Sequence, residues 1–385
     1  MEAAELTLVV RDDNTIRARR QDGAETSGKL ILDDLHRNLI RLFVDWLSQE
    51  EQDKQKDDQN KNRKMTRRWE FEVFGSLLYK TIFDEQVGSF FERTFSEARS
   101  AERHLRLQLS FEGRAAHLAS IPWEYLYYPA TDYRRGFFLS TEPDLVLSRY
   151  MPLERARQTL TPTKGPLRVL LVVSAPYDDD LGYVISDGVL EAIEKLAEAY
   201  PIQVDSLNQP TIDNFLDKIE EIKPHVLHFI GHGQFNKDEG NGEIAMLDTD
   251  GRSARWVKDE DFAEYLVHMR SIPRLVFLHI CEGGVVDFDA NYAGLAPQLI
   301  RTGIQAVVAM QYPISNNAAI VFSRTFYSTL AEGEPVDIAI QEGRYQITNS
   351  ISKAYDSRVF GIPVLYMRSR DGIIQPPINT AVDDG

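Results

Sequence analysis

Val226-Leu227-His228-Phe229-Ile230-Gly231-His232-Gly233 and Leu275-Val276-Phe277-Leu278-His279-Ile280-Cys281 decide the reading of this chain. Each is an apolar run that ends in one chemically active side chain. Short continuous apolar runs rich in Val, Ile and Phe mark strands buried on both faces, as in a parallel sheet. Open α/β sheets carry their chemistry at the C-terminal ends of such strands. His232 and Cys281 occupy those ends, 49 positions apart, and Cys281 is the single cysteine of the 385 residues.

Working outward from the two runs, strands alternate with helices after Pro166. Strands are predicted at Leu167–Val173, Ile202–Leu207, His225–Ile230, Leu275–Ile280, Ala306–Met310 and Val359–Met367. Helices are predicted near Gly188–Tyr200, at Thr211–Ile222 with Thr211 as N-cap, near Asp259–Arg270, and at Leu295–Thr302, Ala318–Leu330 and Val336–Gln346. A polar hairpin spans Glu243–Arg252, with Asp250-Gly251 as its turn. This alternation predicts βαβ units and a mainly parallel sheet with helices on both faces. Phe235–Gly242 and Val285–Tyr292 flank the two strand ends and read as mobile activation loops.

The first half is less regular. A strand is predicted at Leu6–Val10, and a helix at Leu30–Leu47 with Leu32, Leu35, Leu39, Leu42, Phe43 and Leu47 on its apolar face. Glu50–Lys64 carries no large apolar residue and reads as a solvated spacer. Helices follow at Arg68–Ile82 and Gln86–Ala101, then a half-buried strand at Leu105–Phe111. Pro122-Trp123-Glu124 reads as core packing. Pro152–Pro166 reads as a connector whose Arg155 and Arg157 are candidate self-cleavage points. The expected organisation is residues 1–66 as strand, helix and charged linker, 67–165 as an accessory α+β layer, 166–370 as the core, and 371–385 as a disordered tail.

Composition narrows the function classes. Lys and Arg number 43 against 59 Asp and Glu, a net charge of −16. A phosphate backbone would meet a repulsive field, so direct nucleic-acid binding is not expected. The acidic surface suits basic peptides, or serves solubility alone. One cysteine excludes an internal disulfide and any multi-cysteine metal site. It fits a reducing, cytoplasmic setting. Met1–Glu5 shows neither basic nor apolar signal character, and no apolar stretch reaches the ~18 residues of a membrane helix. No Walker or dinucleotide fingerprint follows the first core strand, which leads into Ser174-Ala175-Pro176-Tyr177. A nucleotide-binding domain is therefore ranked last.

The two strand ends suggest nucleophilic catalysis. A thiol of pKa ~8.5 needs a base to give the thiolate nucleophile. His232 can take that proton and later return one to a leaving amine. The N–H groups of Gly233 and Cys281 are candidates for an oxyanion hole. Gly231 and Gly233 are read as allowing a sharp turn around His232. Asp178, Asp248 and Glu282 are candidates for a pocket that receives a basic residue; at Asp178–Asp180 an exposed acidic loop is the competing reading. His225, His228, His232 and His279 lie on adjacent strands; His228 and His232 share a face, His279 shares that of Cys281 and His225 points the other way, and the four do not read as the convergent ligands of a metal site.

Taken together, His228–Gly233 and Cys281-Glu282-Gly283-Gly284 resemble the two signatures of CHAT-domain proteins, caspase-like cysteine peptidases of clan CD related to separase and the caspases. The 49-residue spacing is similar to the roughly 50 residues of caspases. Pro122-Trp123-Glu124, Leu247-Asp248-Thr249-Asp250-Gly251, Gly294-Leu295-Ala296, Gly303–Met310, Phe322–Gly333 and Val359–Pro363 resemble further family segments in family order. The resemblance covers roughly residues 68–368. Where the family has a small pair such as Ser-Ala before the cysteine, this chain has His279-Ile280; where the family has Thr, it has Gly283.

The resemblance implies an α/β caspase-like sandwich, a mainly parallel central sheet flanked by helices, with an N-terminal α+β layer. It also implies a regulated endopeptidase without cofactor, a protein substrate, an activating or sensor protein partner, and a role in bacterial antiviral defence. It leaves oligomeric state open. The alternative function is a catalytically silent CHAT-type interaction scaffold, which the altered flanks of Cys281 favour.

Overall fold

The structure is a computed structural model that describes residues 3–49, 68–131, 134–151, 165–176, 184, 186–236, 238–282, 294–351, 355, 357–369 and 371–374. The core strands are β8 (Leu167–Ser174), β9 (Ile202–Asn208), β10 (Val226–Asn236), β13 (Leu275–Glu282), β14 (Ala306–Met310) and β15 (Pro363–Met367). A hairpin, β11 (Asn241–Leu247) and β12 (Ala254–Lys258), lies beside the outer half of β10. The N-terminal strands are β1 (Ala4–Val10), β2 (Thr15–Arg20), β3 (Glu25–Lys29), β4 (Leu105–Phe111) and β7 (Leu145–Tyr150). A separate pair, β5 (Tyr127–Tyr128) and β6 (Phe137–Phe138), completes the set.

The thirteen larger strands form one sheet. β9, β8, β10, β13 and β14 are neighbours in that order, all parallel. β15 then runs antiparallel to β14 and parallel to β7, which leads through β4 to β1, β2 and β3. The accessory strands therefore extend the core sheet. The sheet is mixed and mostly parallel, flanked by helices, as the sequence predicted.

Helices cover both faces because the core strands are apolar on both. Leu170, Val172, Leu227, Phe229, Val276 and Leu278 pack with α5 (Ile212–Ile222), α6 (Asp259–Val267) and α7 (Leu295–Thr302). Alternate residues Val169, Leu171, Val226, Ile230, Leu275 and Phe277 pack into a second core. That core includes α4 (Asp187–Glu194), α8 (Asn316–Ala331) and α9 (Val336–Ser350). It continues into α1 (Asp34–Gln49), α2 (Arg68–Ile82) and α3 (Glu85–Ser100). Thr211 caps α5, its hydroxyl accepting from the Asn214 amide at 3.3 Å.

Several expectations change. α1 buries Ile40, Val44 and Leu47, whereas Leu35, Leu39 and Leu42 face solvent. Leu32, Phe43 and Leu47 of the expected face do pack on the core; the apolar residues of this helix circle more than one face, and periodicity alone does not separate them. β4 is buried on both faces, not one, because Arg106 on its polar face forms a buried ion pair with Asp337 of α9. The Val359–Gly361 segment is a 3₁₀ turn, and the last strand starts at Pro363. Residues 371–374, expected in a disordered tail, pack instead: Ile374 is buried and its carbonyl accepts from Arg274 at 2.8 Å. Glu50–Lys64 and residues 152–164 of the connector lie outside the described residues, as do 375–385.

Glu124 does more than pack. Its carboxylate and the Arg149 guanidinium of β7 form a buried pair at 2.6 Å, and Gln311 Nε2 also donates to that carboxylate at 3.1 Å. β7 meets β15 at this point, so the pair joins the core strands to the accessory strands. Trp123 is fully buried, with its indole N–H on the Leu118 carbonyl at 2.8 Å.

Candidate active site

β10 and β13 lie side by side in parallel, with Val226 against Leu275 at the start. The register runs without interruption to His232 against Cys281, and then Gly233 against Glu282. Two positions 49 apart in sequence thus become direct neighbours across the ladder, on strands about 4.8 Å apart. They stand at the C-terminal ends of parallel strands, and in-register positions share a sheet face. His232 is half-buried.

The glycines around His232 serve close approach, not a turn. β10 continues as a strand through Asn236, and neither Gly231 nor Gly233 takes a positive φ. A Cβ on Gly231 would lie 2.5 Å from the Ser174 carbonyl oxygen; one on Gly233 would lie 2.3 Å from Ile280 Cγ2. The glycines let the strand carrying the histidine lie tight against β8 and β13. Phe235–Gly242, expected as a mobile loop, closes the β10–β11 hairpin. Asn236 Oδ1 accepts from the Asp238 and Glu239 amides at 3.2 Å, and Glu239 pairs with Lys258.

Beneath the pair, on the same face, lie two further histidines. His228 is four residues before His232, and His279 is two before Cys281. Their ring centroids are 6.1 Å apart. His228 stacks on Phe277 at 4.1 Å, and its Nδ1 shares a hydrogen bond with the Tyr327 hydroxyl of α8 at 3.1 Å. Burial holds His279 down to a pKa of about 4 and His228 well below the ordinary range, where the His279 charge adds to the effect. Both are therefore neutral imidazoles at pH 7. Alternation places them on this face from sequence; the stacking of His228 on Tyr327 of α8 was not legible, because it depends on which helix crosses there.

His225 belongs to the opposite end of the sheet. Its pKa falls to about 4 through burial and the neighbouring Arg168 and Arg274. Among the described residues no group of three or more His, Cys, Asp or Glu could hold a metal ion.

The acidic candidates separate. Asp178 lies outside the described residues, as does Val285–Tyr292. Asp248 does not join the pair. β11 runs back along β10 from Ile244 opposite Gly233, so Asp248 sits roughly 13 Å further down the strand direction. Its carboxylate accepts from the Thr249 amide at 2.7 Å and caps its own turn. Glu282 is one position past Cys281, opposite Gly233.

A model of the CHAT domain family matches residues 73–360. The chain belongs to the CHAT domain family. No curated protein matches the CHAT chain in sequence. Among solved structures it is similar to the separase of the Saccharomyces cerevisiae separase–securin complex, with a TM-score of 0.55 and 11% identity. That match covers 96% of this chain and 30% of the separase chain, so the CHAT chain spans under a third of that relative. Caspase-1 from Spodoptera frugiperda is matched at 12% identity and a TM-score of 0.36, over 58% of this chain and 99% of its own. The fold is similar to that of this separase region, a mixed, mostly parallel sheet flanked by helices. No helix among the described residues is long and apolar enough to cross a membrane.

Proposed function

We propose that this CHAT protein is a regulated cysteine endopeptidase in which Cys281 is the nucleophile and His232 the general base. The observation that carries the reading is the ladder register of His232 with Cys281 at the C-terminal end of the parallel sheet. His232 takes the thiol proton, and the thiolate attacks the scissile carbonyl carbon. The N–H groups of Gly233 and Cys281 receive the oxyanion. Collapse expels the amine, protonated by His232, and leaves a thioester. Water, deprotonated by His232, then hydrolyses the thioester and restores the thiol.

The substrate is a protein segment with a basic residue before the cut, received by Glu282 next to the nucleophile. The net charge of −16 favours such a segment. The separase neighbour was solved in complex with securin, and a protein partner is proposed here as well, one that activates the CHAT chain. The setting is a reducing cytoplasm, in a bacterial defence or signalling system. A proteome-derived peptide library incubated with wild type and with Cys281→Ala tests this. New N-termini that follow Lys or Arg and need Cys281 support it. Identical digests, with a candidate partner present, leave a silent interaction scaffold.

A further inference from the structure

Two chain segments leave the strand ends that carry the pair, and both come near one buried carboxylate. Asp259 opens α6 and is 1% exposed. Its Oδ2 accepts from the Gly242 amide at 3.2 Å, and its Oδ1 accepts from the Glu260 amide at 2.8 Å. Gly242 faces Phe235 across the β10–β11 hairpin, three positions beyond His232. The bond therefore fixes the hairpin that follows the histidine.

The segment after Cys281 re-enters the described fold at Gly294, and it does so here. A Cβ on Gly242 would lie 3.5 Å from Asp259 Oδ2 and 3.7 Å from the Leu295 amide nitrogen, the first residue of α7. Gly294, at the N-cap of α7, has no side chain to cap it. The first amides of a helix carry partial positive charge, and a nearby carboxylate stabilises them. Burial pushes the Asp259 carboxyl above its ordinary value, a cost that a neutral Asn of the same size would not bear. A position that tolerates the cost has a use for the charge.

We infer that Asp259 is a positioning residue: its carboxylate bonds the hairpin after His232 and lends its charge to the nearby helix start after Cys281, and so sets the walls on either side of the pair. The role rests on the proposed peptidase reading. It acts through the hairpin and α7, without contact to the reacting atoms.

The test compares Asp259→Asn with wild type in the full chain. Hydrogen exchange is read at the Gly242, Leu295 and Ala296 amides, and the pH profile of Cys281 alkylation by iodoacetamide alongside it. Weakening the Asp259 hydrogen bond should speed exchange at the Gly242 amide by about tenfold, and loss of the nearby negative charge should speed it at the Leu295 and Ala296 amides in the same direction. The alkylation profile should shift toward that of His232→Ala. Gly242→Ala, whose methyl enters at ordinary contact distance between Asp259 and Leu295, gives the same test with smaller shifts if Asp259→Asn does not fold. Faster exchange with an unchanged alkylation profile overturns the positioning role and leaves a local cap. Unchanged exchange overturns the latch itself. A wild-type profile that ignores His232→Ala is a different failure: it removes the peptidase reading, and the positioning role with it, whatever the exchange shows.

Discussion

His279 makes the fold acid-sensitive by a definite amount. Burial holds its imidazole near pKa 4 against an ordinary 6.5. The folded value is the lower one, so the fold favours the neutral ring. That stability is complete above pH 6.5 and is lost as pH falls toward 4. The gap between the two values is worth about 3 kcal/mol in full, most of which is lost between pH 7.5 and 4.5. Total stabilities are typically about 5–15 kcal/mol, so one residue removes a large share. His228, also held low by burial, adds in the same direction. The perturbation is His279→Leu, which keeps an apolar body and removes the titrating ring. Its Nδ1 has no hydrogen-bond partner among the described residues, so little is lost at neutral pH. Urea denaturation at pH 7.5, 6.5, 5.5 and 4.5, followed by tryptophan fluorescence, gives stability against pH for both proteins. The curves should start close together and diverge in favour of the variant by about 2–3 kcal/mol at pH 4.5. Parallel curves would refute the claim that the fold buries a neutral imidazole at position 279.

Other outcomes follow from the same geometry. Glu124→Gln leaves the Arg149 charge buried without its partner and should cost about 3–5 kcal/mol by chemical denaturation, while the double variant Glu124→Leu/Arg149→Met should cost clearly less. Gly231→Ala drives a methyl against the Ser174 carbonyl and should cost about 1–3 kcal/mol, with slower Cys281 alkylation as β10 shifts; a variant as stable and reactive as wild type would show that the strands have room. Tyr327→Phe removes the partner of His228 Nδ1 and should cost about 1 kcal/mol in urea melts, with no change in helix content by circular dichroism.

The core half was legible because its strands are continuous apolar runs and its helices carry clear periods; β8, β9, β13 and β14 fall close to the predicted stretches, while β10 runs on to Asn236 and β12 lies past the predicted hairpin. The neighbourhood of His232 and Cys281 followed from one rule, that parallel strand ends converge. The misses have physical reasons. Thr15–Arg20 and Glu25–Lys29 are short and polar, and only Ile16 and Ala18 alternate into the core, so β2 and β3 drew no prediction. The exposed leucines of α1 show that period identifies a helix and cannot choose between two apolar faces. Gly231 and Gly233 were read as a turn because local sequence cannot show that Ser174 and Ile280 press against them. Asp259 carries no sequence signal beyond its place at a helix start, since its partner Gly242 is 17 residues away.

The central claim, that His232 serves Cys281, is tested most directly by the pH dependence of Cys281 alkylation in wild type and His232→Ala. The account predicts a wild-type inflection well below the free-thiol value of about 8.5, returning to about 8.5 when His232 is removed. Superimposable curves would contradict it.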